Sequence, residues 1–363
     1  MTVYLDHAAS TPMRPASVEA MLPFLGGHTG NPSGAHAAAR RSRKAIDEAR
    51  DVVADCLGAR PGEIVFTGSG TEADNLAITG LLARRGGTAV CTAIEHHAVL
   101  DPVEHAGGRI VAVDADGVVS PEALAGAVDG DTSIVSVMLA NNEVGSVQPL
   151  SDVDAAVHTD AVQAVTWLDV ASLAARADLI SVSAHKFGGP QGVGALVVRD
   201  GVELEPLVLG GGQERGLRSG THNTAGIVGL AAALREAVDT RDETVRRLGE
   251  LRDRLADGLL SRVPGCTETG SRDRKVAGIC HLCFEDVDAE SLLMLLDQAG
   301  LYASAGSSCS SGAMEPSHVL VAMGVPKELA GGSVRLSLGW SSTGADVDAA
   351  LELIPPAVEQ LRR

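Results

Sequence analysis

Short apolar runs with strand character alternate with helical or polar stretches between residues 64 and 199 of this chain. The runs are Ile64–Thr67, Thr88–Ala93, Arg109–Asp114, Ser133–Ala140, Leu179–Ala184 and Gly194–Arg199. Alternation of this kind is typical of βαβ units, in which a helix crosses between neighbouring parallel strands. The sequence therefore predicts an α/β fold with a large, mostly parallel sheet that is covered by helices on both faces.

Helical periodicity marks the segments that flank these strands. An apolar stripe predicts a helix over residues 35–58, with Gly58 as its C-cap. Beyond Leu230 the helices become longer, and one stripe consists of Val245, Leu248, Leu251, Leu255 and Leu259. Further helices are predicted over Ala289–Ala299, Pro316–Met323 and Ala345–Leu361, with short strands near Gly278–Phe284 and Gly332–Leu338. We expect a large domain over residues 14–240 and a smaller α+β domain built from residues 1–13 and 241–363.

The net charge of the chain limits the partners that it can have. With 363 residues, a hydrophobic fraction of 45% and a net charge of -18, it can bury a large core and repels phosphate backbones and anionic membranes. The run Arg40, Arg41, Arg43 and Lys44 is basic, but its helical context favours a solvated face. The residues after Met1 include Asp6 and His7 where a signal peptide would be apolar, so we expect a cytoplasmic protein without direct nucleic-acid or membrane binding.

Six cysteines are scattered along the chain without the spacing of a disulfide framework. Cys280 and Cys283 form a CxxC pair, but no second pair of ligands follows it, and the surrounding residues are typical of an apolar strand. We therefore expect reduced thiols and no metal site.

Two strand ends carry residues suited to binding a charged cofactor. The turn after Thr67 contains glycines, and Ser69 and Glu72 have capping-box spacing, so it can present free N–H groups to a phosphate at a helix N-terminus. An ordinary βα turn has the same pattern. Lys186 ends the apolar run 179–184, where desolvation can lower its pKa and make its amine nucleophilic; the alternative is a lysine that extends into solvent.

Two further residues have chemistry that depends on their surroundings. Asp160 follows a short apolar run and can cap a helix or pair with a protonated ring nitrogen of a cofactor. Cys309 lies in a stretch of small residues, 303–313, which can carry a nucleophile to a site or be a surface loop with an incidental thiol.

Ten ordered motifs together resemble the cysteine desulfurases of the NifS/IscS type, within the fold-type I, class V aminotransferase-like enzymes that depend on pyridoxal 5'-phosphate (PLP). The motifs are YLDHAAST from Tyr4, GNPSGAH from Gly30, FTGSGTEADNLA from Phe66, EHHAVL from Glu95, NNEVG from Asn141, HTDAVQ from His158, SAHKFGGPQGVGAL from Ser183, GGGQERGLRSGTHN from Gly210, SAGSSCSSGAMEPSHVL from Ser304 and SVRLSLG from Ser333. They span nearly the whole chain.

The resemblance implies a role for each matching residue. Catalysis would rest on Lys186, which attaches PLP covalently, on His96, which stacks on its ring and moves protons, and on Cys309, which accepts sulfur. The other residues implied to bind the cofactor are Gly70, Thr71, Asn142, Asp160, Gln163, Ser183, His185 and, from the second subunit of a homodimer, Thr221. Those implied to hold the substrate carboxylate are Asn31, Asn142 and Arg335.

The implied reaction converts L-cysteine to L-alanine and leaves a persulfide on Cys309 for delivery to an acceptor protein, as in iron-sulfur cluster assembly, tRNA thiolation or DNA sulfuration. A selenocysteine lyase, another carbon-sulfur lyase or an aminotransferase is the alternative on the same fold. A different class of hypothesis is a sulfur-relay protein that only presents Cys309 to a partner; the presence of Lys186, Asp160 and His96 argues against it.

Two departures from the family pattern affect these expectations. The segment between Asn142 and Asp160 is short, so a surface helix is expected to be reduced or missing there. The sequence ends at Arg363, directly after the last predicted helix, without the tail that docks an iron-sulfur scaffold in the IscS branch, so docking of such a scaffold by a tail is not expected.

Overall fold

The computed structural model describes residues 2–27, 30–305 and 316–363. Its strands are β1 (Val3–Tyr4), β2 (Ile64–Thr67), β3 (Thr88–Thr92), β4 (Arg109–Val111), β5 (Thr132–Ser136), β6 (Ala156–Asp160), β7 (Leu179–Ser183), β8 (Gly194–Val198), β9 (Cys266–Glu268), β10 (Ile279–Phe284), β11 (Leu301–Tyr302) and β12 (Ser333–Ser337). Its α-helices are α1 (Pro15–Leu25), α2 (Ala37–Cys56), α3 (Gly70–Arg85), α4 (His97–His105), α5 (Pro121–Ala127), α6 (Val170–Leu173), α7 (Thr224–Asp239), α8 (Arg241–Arg262), α9 (Ala289–Gln298), α10 (His318–Ala322), α11 (Lys327–Ala330) and α12 (Gly344–Leu361).

Seven strands form the large sheet, in the order β2-β8-β7-β6-β5-β3-β4. Strand β8 is antiparallel to both of its neighbours, and the other six strands run in one direction. The carboxyl ends of β2, β3, β5, β6 and β7 therefore meet at one edge of the sheet, where ligands bind in open α/β folds. The predicted fold class, an α/β fold with a mostly parallel sheet, is confirmed.

Helices cover both faces of this sheet because its strands are buried on both sides. Along β2, Ile64 and Phe66 pack into a core shared with α2 and α7, whereas Val65 points to the opposite face and packs against α3. Helices α1 and α2 both contact α7 on the first face, and α4 lies beside α3 on the second. Burial on both faces explains why the strands read as continuous apolar runs.

A smaller antiparallel sheet, in the order β12-β10-β9, packs against α8, α9 and α12 in a separate apolar core. Strand β1 joins this part of the molecule by pairing with β11. Cys280 and Cys283 alternate across β10 and pack into different clusters, so their side chains do not converge. Thr240 alone separates α7 from α8, at the position where we placed the boundary between the domains; that boundary stays a prediction.

Most predicted elements are present with ends that differ by one to four residues. The helix predicted over Pro316–Met323 begins at His318 because the Ser317 hydroxyl caps it. Strand β6 was not predicted as a separate strand, because its sequence AVHTD carries only two apolar residues before a polar end. In the described part of the chain, no helix is both long and apolar enough to cross a membrane.

Candidate active site

A cavity of about 400 Å³ opens at the carboxyl edge of the large sheet. It lies between the ends of several parallel strands and the first turn of α3. Ten of the residues predicted to form the site line it: Gly70, Thr71, His96, Asn142, Asp160, Gln163, Ser183, His185, Lys186 and Arg335. Residues from both predicted domains thus meet in one cavity.

The first turn of α3 forms one end of the cavity. Ser69 accepts a hydrogen bond from the backbone N–H of Glu72, which fixes the start of the helix. A Cβ atom at Gly70 would lie 2.8 Å from Val162 Cγ2 and 3.1 Å from Ser183 Cβ, so glycine allows the helix end to approach the strand ends closely. N–H groups of a first helical turn have no partner within the helix, and here they can bind an anion.

Lys186 lies in the turn after β7, where it is partly buried. Its Nζ donates hydrogen bonds to the carbonyl oxygens of Ala8, at 2.6 Å, and Ala9, at 2.9 Å. Burial, together with the positive charge of Arg335, lowers the pKa of Lys186 to about 8. A substantial fraction of the amine is therefore neutral and nucleophilic near neutral pH.

Asp160 ends β6 and faces the same cavity. Its Oδ1 accepts a hydrogen bond from the backbone N–H of Val162 at 2.8 Å. Burial raises the pKa of Asp160 to about 6, and the Val162 N–H and the charge of Lys186 limit that rise. Asp160 can thus be an anion at pH 7 that faces a cationic group in the cavity.

His96 caps α4 at another strand end, with Nδ1 accepting a hydrogen bond from the Ala98 N–H. Burial and the nearby charge of Lys186 lower the pKa of His96, so its ring is neutral at pH 7. Gln163 donates a hydrogen bond from Nε2 to the Ala8 carbonyl, which also accepts from Lys186.

Arg335 on β12 brings a guanidinium to the cavity from the smaller sheet. Nη2 lies 3.0 Å from Asp6 Oδ1, and Nη1 donates to the carbonyl oxygen of Asn142 at 2.9 Å. Its Nε is buried and has no hydrogen-bond partner among the described residues. Ser304 donates a 2.9 Å hydrogen bond to the same oxygen of Asp6. The guanidinium is therefore fixed in position in the lining of the cavity, where its positive charge can attract a carboxylate.

Two described site residues, Asn31 and Thr221, do not line this cavity. Cys309 lies outside the described residues; Ala305, four residues before it in the sequence, does line the cavity. Asn31 and Thr221 are exposed. Their neighbours Ser33 and His222 line a second cavity of about 410 Å³. The roles of all three stay predictions.

Sequence reasoning missed Asp6 and Asp74 as residues of the site. Asp6 holds Arg335, and Asp74 lines the cavity directly. A signal for Asp74 was present, because it follows Gly70 by four residues and thus lies on the same face of α3. Nothing in the sequence pattern joins Asp6 to Arg335, which are 329 residues apart.

Comparisons with known proteins indicate which family this chain belongs to. Residues 3–350 match the family described as Aminotransferase class-V. The chain is 47% identical to the IscS-like cysteine desulfurase of Mycobacterium tuberculosis, over 99% of this chain and 97% of that protein. A solved structure of a NifS-like protein has a TM-score of 0.92 at 36% identity and covers 99% of this chain and 100% of its own. The structure of SspA in complex with cysteine has a TM-score of 0.81 at 34% identity, over 93% of this chain and 99% of its own.

Proposed function

Since this chain belongs to the aminotransferase class-V family, among the cysteine desulfurases of the IscS and NifS type, we propose that it holds PLP in the cavity at the sheet edge and acts there on L-cysteine. The observation that carries the proposal is the convergence of Lys186, Asp160 and the N-terminus of α3 on one cavity. These groups are a partly buried amine, a buried carboxylate and an anion-binding helix end.

The residues present fit PLP. The N-terminus of α3, with Ser183 and His185 beside it, would bind the phosphate, and Gly70 lets this helix end lie close to Ser183. Lys186 would attach the aldehyde, Asp160 would pair with the ring nitrogen, and Gln163 would reach the phenolic oxygen. When bound, PLP supplies a carbonyl carbon for the substrate amine and a ring that accepts electrons.

The protein supplies positioning and proton transfer. The guanidinium of Arg335 and the side chain of Asn142, which both line the cavity, would bind the substrate carboxylate. The lowered pKa of Lys186 would let Nζ take the substrate Cα proton and return it near neutral pH. The neutral ring of His96 can hold or release a second proton.

The net reaction moves one sulfur atom. The bond between Cβ and sulfur of L-cysteine breaks, a bond forms between that sulfur and Cys309 Sγ, and a proton adds to Cβ to give L-alanine. Attack requires the Cys309 thiolate. The persulfide sulfur then passes to an acceptor protein.

We further propose that a second copy of this chain completes the site. Asn31 and Thr221 are exposed on loops that flank one surface depression, and Leu209, beside the second loop, is 81% exposed. A partner that covers this surface would receive Thr221 in its own cavity and bury the exposed leucine.

An absorbance spectrum of the purified protein, recorded before and after L-cysteine is added, tests the proposal. We expect a visible band that shifts on addition, with L-alanine formed. Lys186→Ala should remove the band, whereas Lys44→Ala, on the exposed face of α2, should keep it. Cys309→Ala should keep the band and lose sulfur transfer. A band without alanine would contradict the cysteine substrate and favour another reaction on the same fold; a missing band would contradict the cofactor.

A further inference from the structure

Asp74 is a second buried carboxyl group at the proposed PLP cavity, and the proposed function gives it no role. It lies on α3, one turn after Gly70, and is 1% exposed. Its Oδ1 has no hydrogen-bond partner among the described residues. The nearest basic atom is Nε2 of His158, at 3.5 Å. Such an unpartnered carboxyl oxygen is costly to bury as an anion.

His158 is the centre of a polar row that crosses three strands. Its Nδ1 lies 2.8 Å from the hydroxyl of Ser136 on β5, and its Nε2 lies 2.9 Å from the hydroxyl of Ser181 on β7. All three side chains are fully buried. Since a hydroxyl can donate or accept, both ring nitrogens are satisfied in a neutral imidazole. Burial lowers the pKa of His158 to about 3, so the ring does not provide a cation for Asp74.

Two other carboxyl groups lie near Asp74: Asp160, two residues after His158 on β6, and Glu95, in the turn after β3. The basic residues Lys186 and Arg335 line the same cavity. Burial, and then repulsion from Asp160, raise the pKa of Asp74 well above its usual range, although the Ser181 hydroxyl opposes the rise. Burial also raises the pKa of Glu95 to about 8.

Asp74 interacts with the hydroxyl of Ser181, whereas Asp160 has two partners that favour its charge. It accepts a hydrogen bond from the Val162 N–H and interacts with the charge of Lys186. Two like charges in a shared low-dielectric site cannot both form at low cost. The carboxyl that has a hydrogen-bond donor and a cation therefore ionises first.

We propose that Asp74 is a positioning residue that remains a neutral carboxylic acid beside His158, and so leaves Asp160 as the single ionised member of this pair facing the cofactor. The proposal rests on the proposed function for its purpose. If Asp74 and Asp160 were both ionised, two anions would compete for the ring nitrogen of PLP. If only Asp160 is ionised, the proton on that nitrogen would have a single partner. The protonation state itself is a property of the protein without cofactor and can be measured there.

The decisive experiment compares thermal unfolding of the cofactor-free wild type with Asp74→Asn between pH 5 and pH 8. An unfolded aspartate ionises near pH ~3.9, whereas a folded one with a raised pKa keeps its proton, so the wild type loses stability as pH rises toward the folded pKa. The amide of Asn is neutral at every pH. We expect the melting temperature of the variant, relative to wild type, to rise by roughly 1–3 °C per pH unit until Asp74 itself ionises.

Asp297→Asn, on the exposed surface of α9, is the matched control for removing one negative charge, and its difference from wild type should be independent of pH. The proposal would be overturned if the melting temperature of Asp74→Asn relative to wild type stayed constant, or fell below zero, as pH rises. Either result would mean that Asp74 is not a neutral acid in the folded state.

One further measurement keeps the proposal testable if Asp74→Asn fails to fold. NMR spectra of wild-type protein labelled with ¹⁵N-histidine report the protonation of His158. A neutral ring, with one protonated nitrogen, supports a neutral Asp74–His158 pair. An imidazolium at His158 would overturn the proposal. In the folded variants, PLP affinity at pH 7 should stay within about twofold for Asp74→Asn and fall at least about tenfold for Asp160→Asn, as expected for one lost charge-assisted partner. Retained affinity in Asp160→Asn would count against the proposed function instead, so the two failures are distinguishable.

Discussion

Lys186 shows how burial sets the chemistry of one residue. Its pKa of about 8 results from desolvation and the charge of Arg335, partly offset by Asp160 and Asp6. Only the neutral amine attaches an aldehyde. We therefore expect the rate at which cofactor-free protein takes up PLP to rise about tenfold per pH unit below pH 8 and to level off above it.

The growth of the visible band after PLP is mixed with the protein at a series of pH values measures this rate. Free lysine is the control, because an unburied amine has a pKa near ~10.4 and its rate should still rise above pH 9. A protein rate that continues to rise to pH 10 would show that the environment does not lower the pKa of Lys186.

Among the elements, the loop between β8 and α7 contains a buried carboxylate, Glu214, that joins it to α2 and β2. Glu214 accepts hydrogen bonds from both terminal nitrogens of Arg50 on α2, from the Phe66 N–H and from His222. Glu214 and Arg215 both have left-handed backbone conformations, with φ values of 49° and 60°. Residues other than glycine adopt that region at a cost, so the network holds the loop in place.

We expect Glu214→Gln to lower the free energy of unfolding by about 2–4 kcal/mol, because the partly buried Arg50 loses the buried carboxylate that balances its charge. Burial alone would raise the pKa of Glu214, but hydrogen bonds from His222 and Arg50 outweigh it and lower the pKa to about 2. This contribution is present above the unfolded pKa of ~4.3 and is lost as pH falls toward the folded value.

Urea unfolding at pH 7 and at lower pH measures the loss of stability in Glu214→Gln and its dependence on pH. The difference in free energy of unfolding between wild type and variant should become smaller on acidification. Glu48→Gln is the control, because its pair with Lys44 on α2 is exposed and should contribute less than about 0.5 kcal/mol. A gap of equal size at every pH would mean that the ionised carboxylate is not what stabilises the loop.

The elements also show what can be read from sequence. Strand β2 was predicted with its observed ends, because three apolar residues and Thr67, all buried, stand between clear turn signals. Strand β6 was not, because three of its four buried positions are the polar residues His158, Thr159 and Asp160, and the partners of His158 lie on neighbouring strands. Motif resemblance identified the ten site residues that line one cavity in the structure. It could not predict the contact of Asp6 with Arg335, because that contact depends on how two distant segments pack.

At the scale of the whole molecule, residues 207–209 form an apolar surface that is exposed to solvent in the single chain. Leu207 and Val208 are partly exposed beside Leu209, next to the loop that carries Thr221. If a second copy covers this surface, a charge placed there opposes association. We expect the wild type to sediment as a dimer and Leu209→Asp to shift it toward monomer, with weaker retention of PLP because Thr221 no longer reaches the partner's cavity.

Met294→Asp is the matched control, because Met294 is 65% exposed on α9, in the smaller part of the molecule, and the same change there should leave the dimer intact. Sedimentation equilibrium over a range of protein concentrations separates the outcomes. A dimeric Leu209→Asp that retains PLP would place the interface elsewhere, and a monomeric wild type with full PLP occupancy would mean that one chain holds the cofactor without a partner.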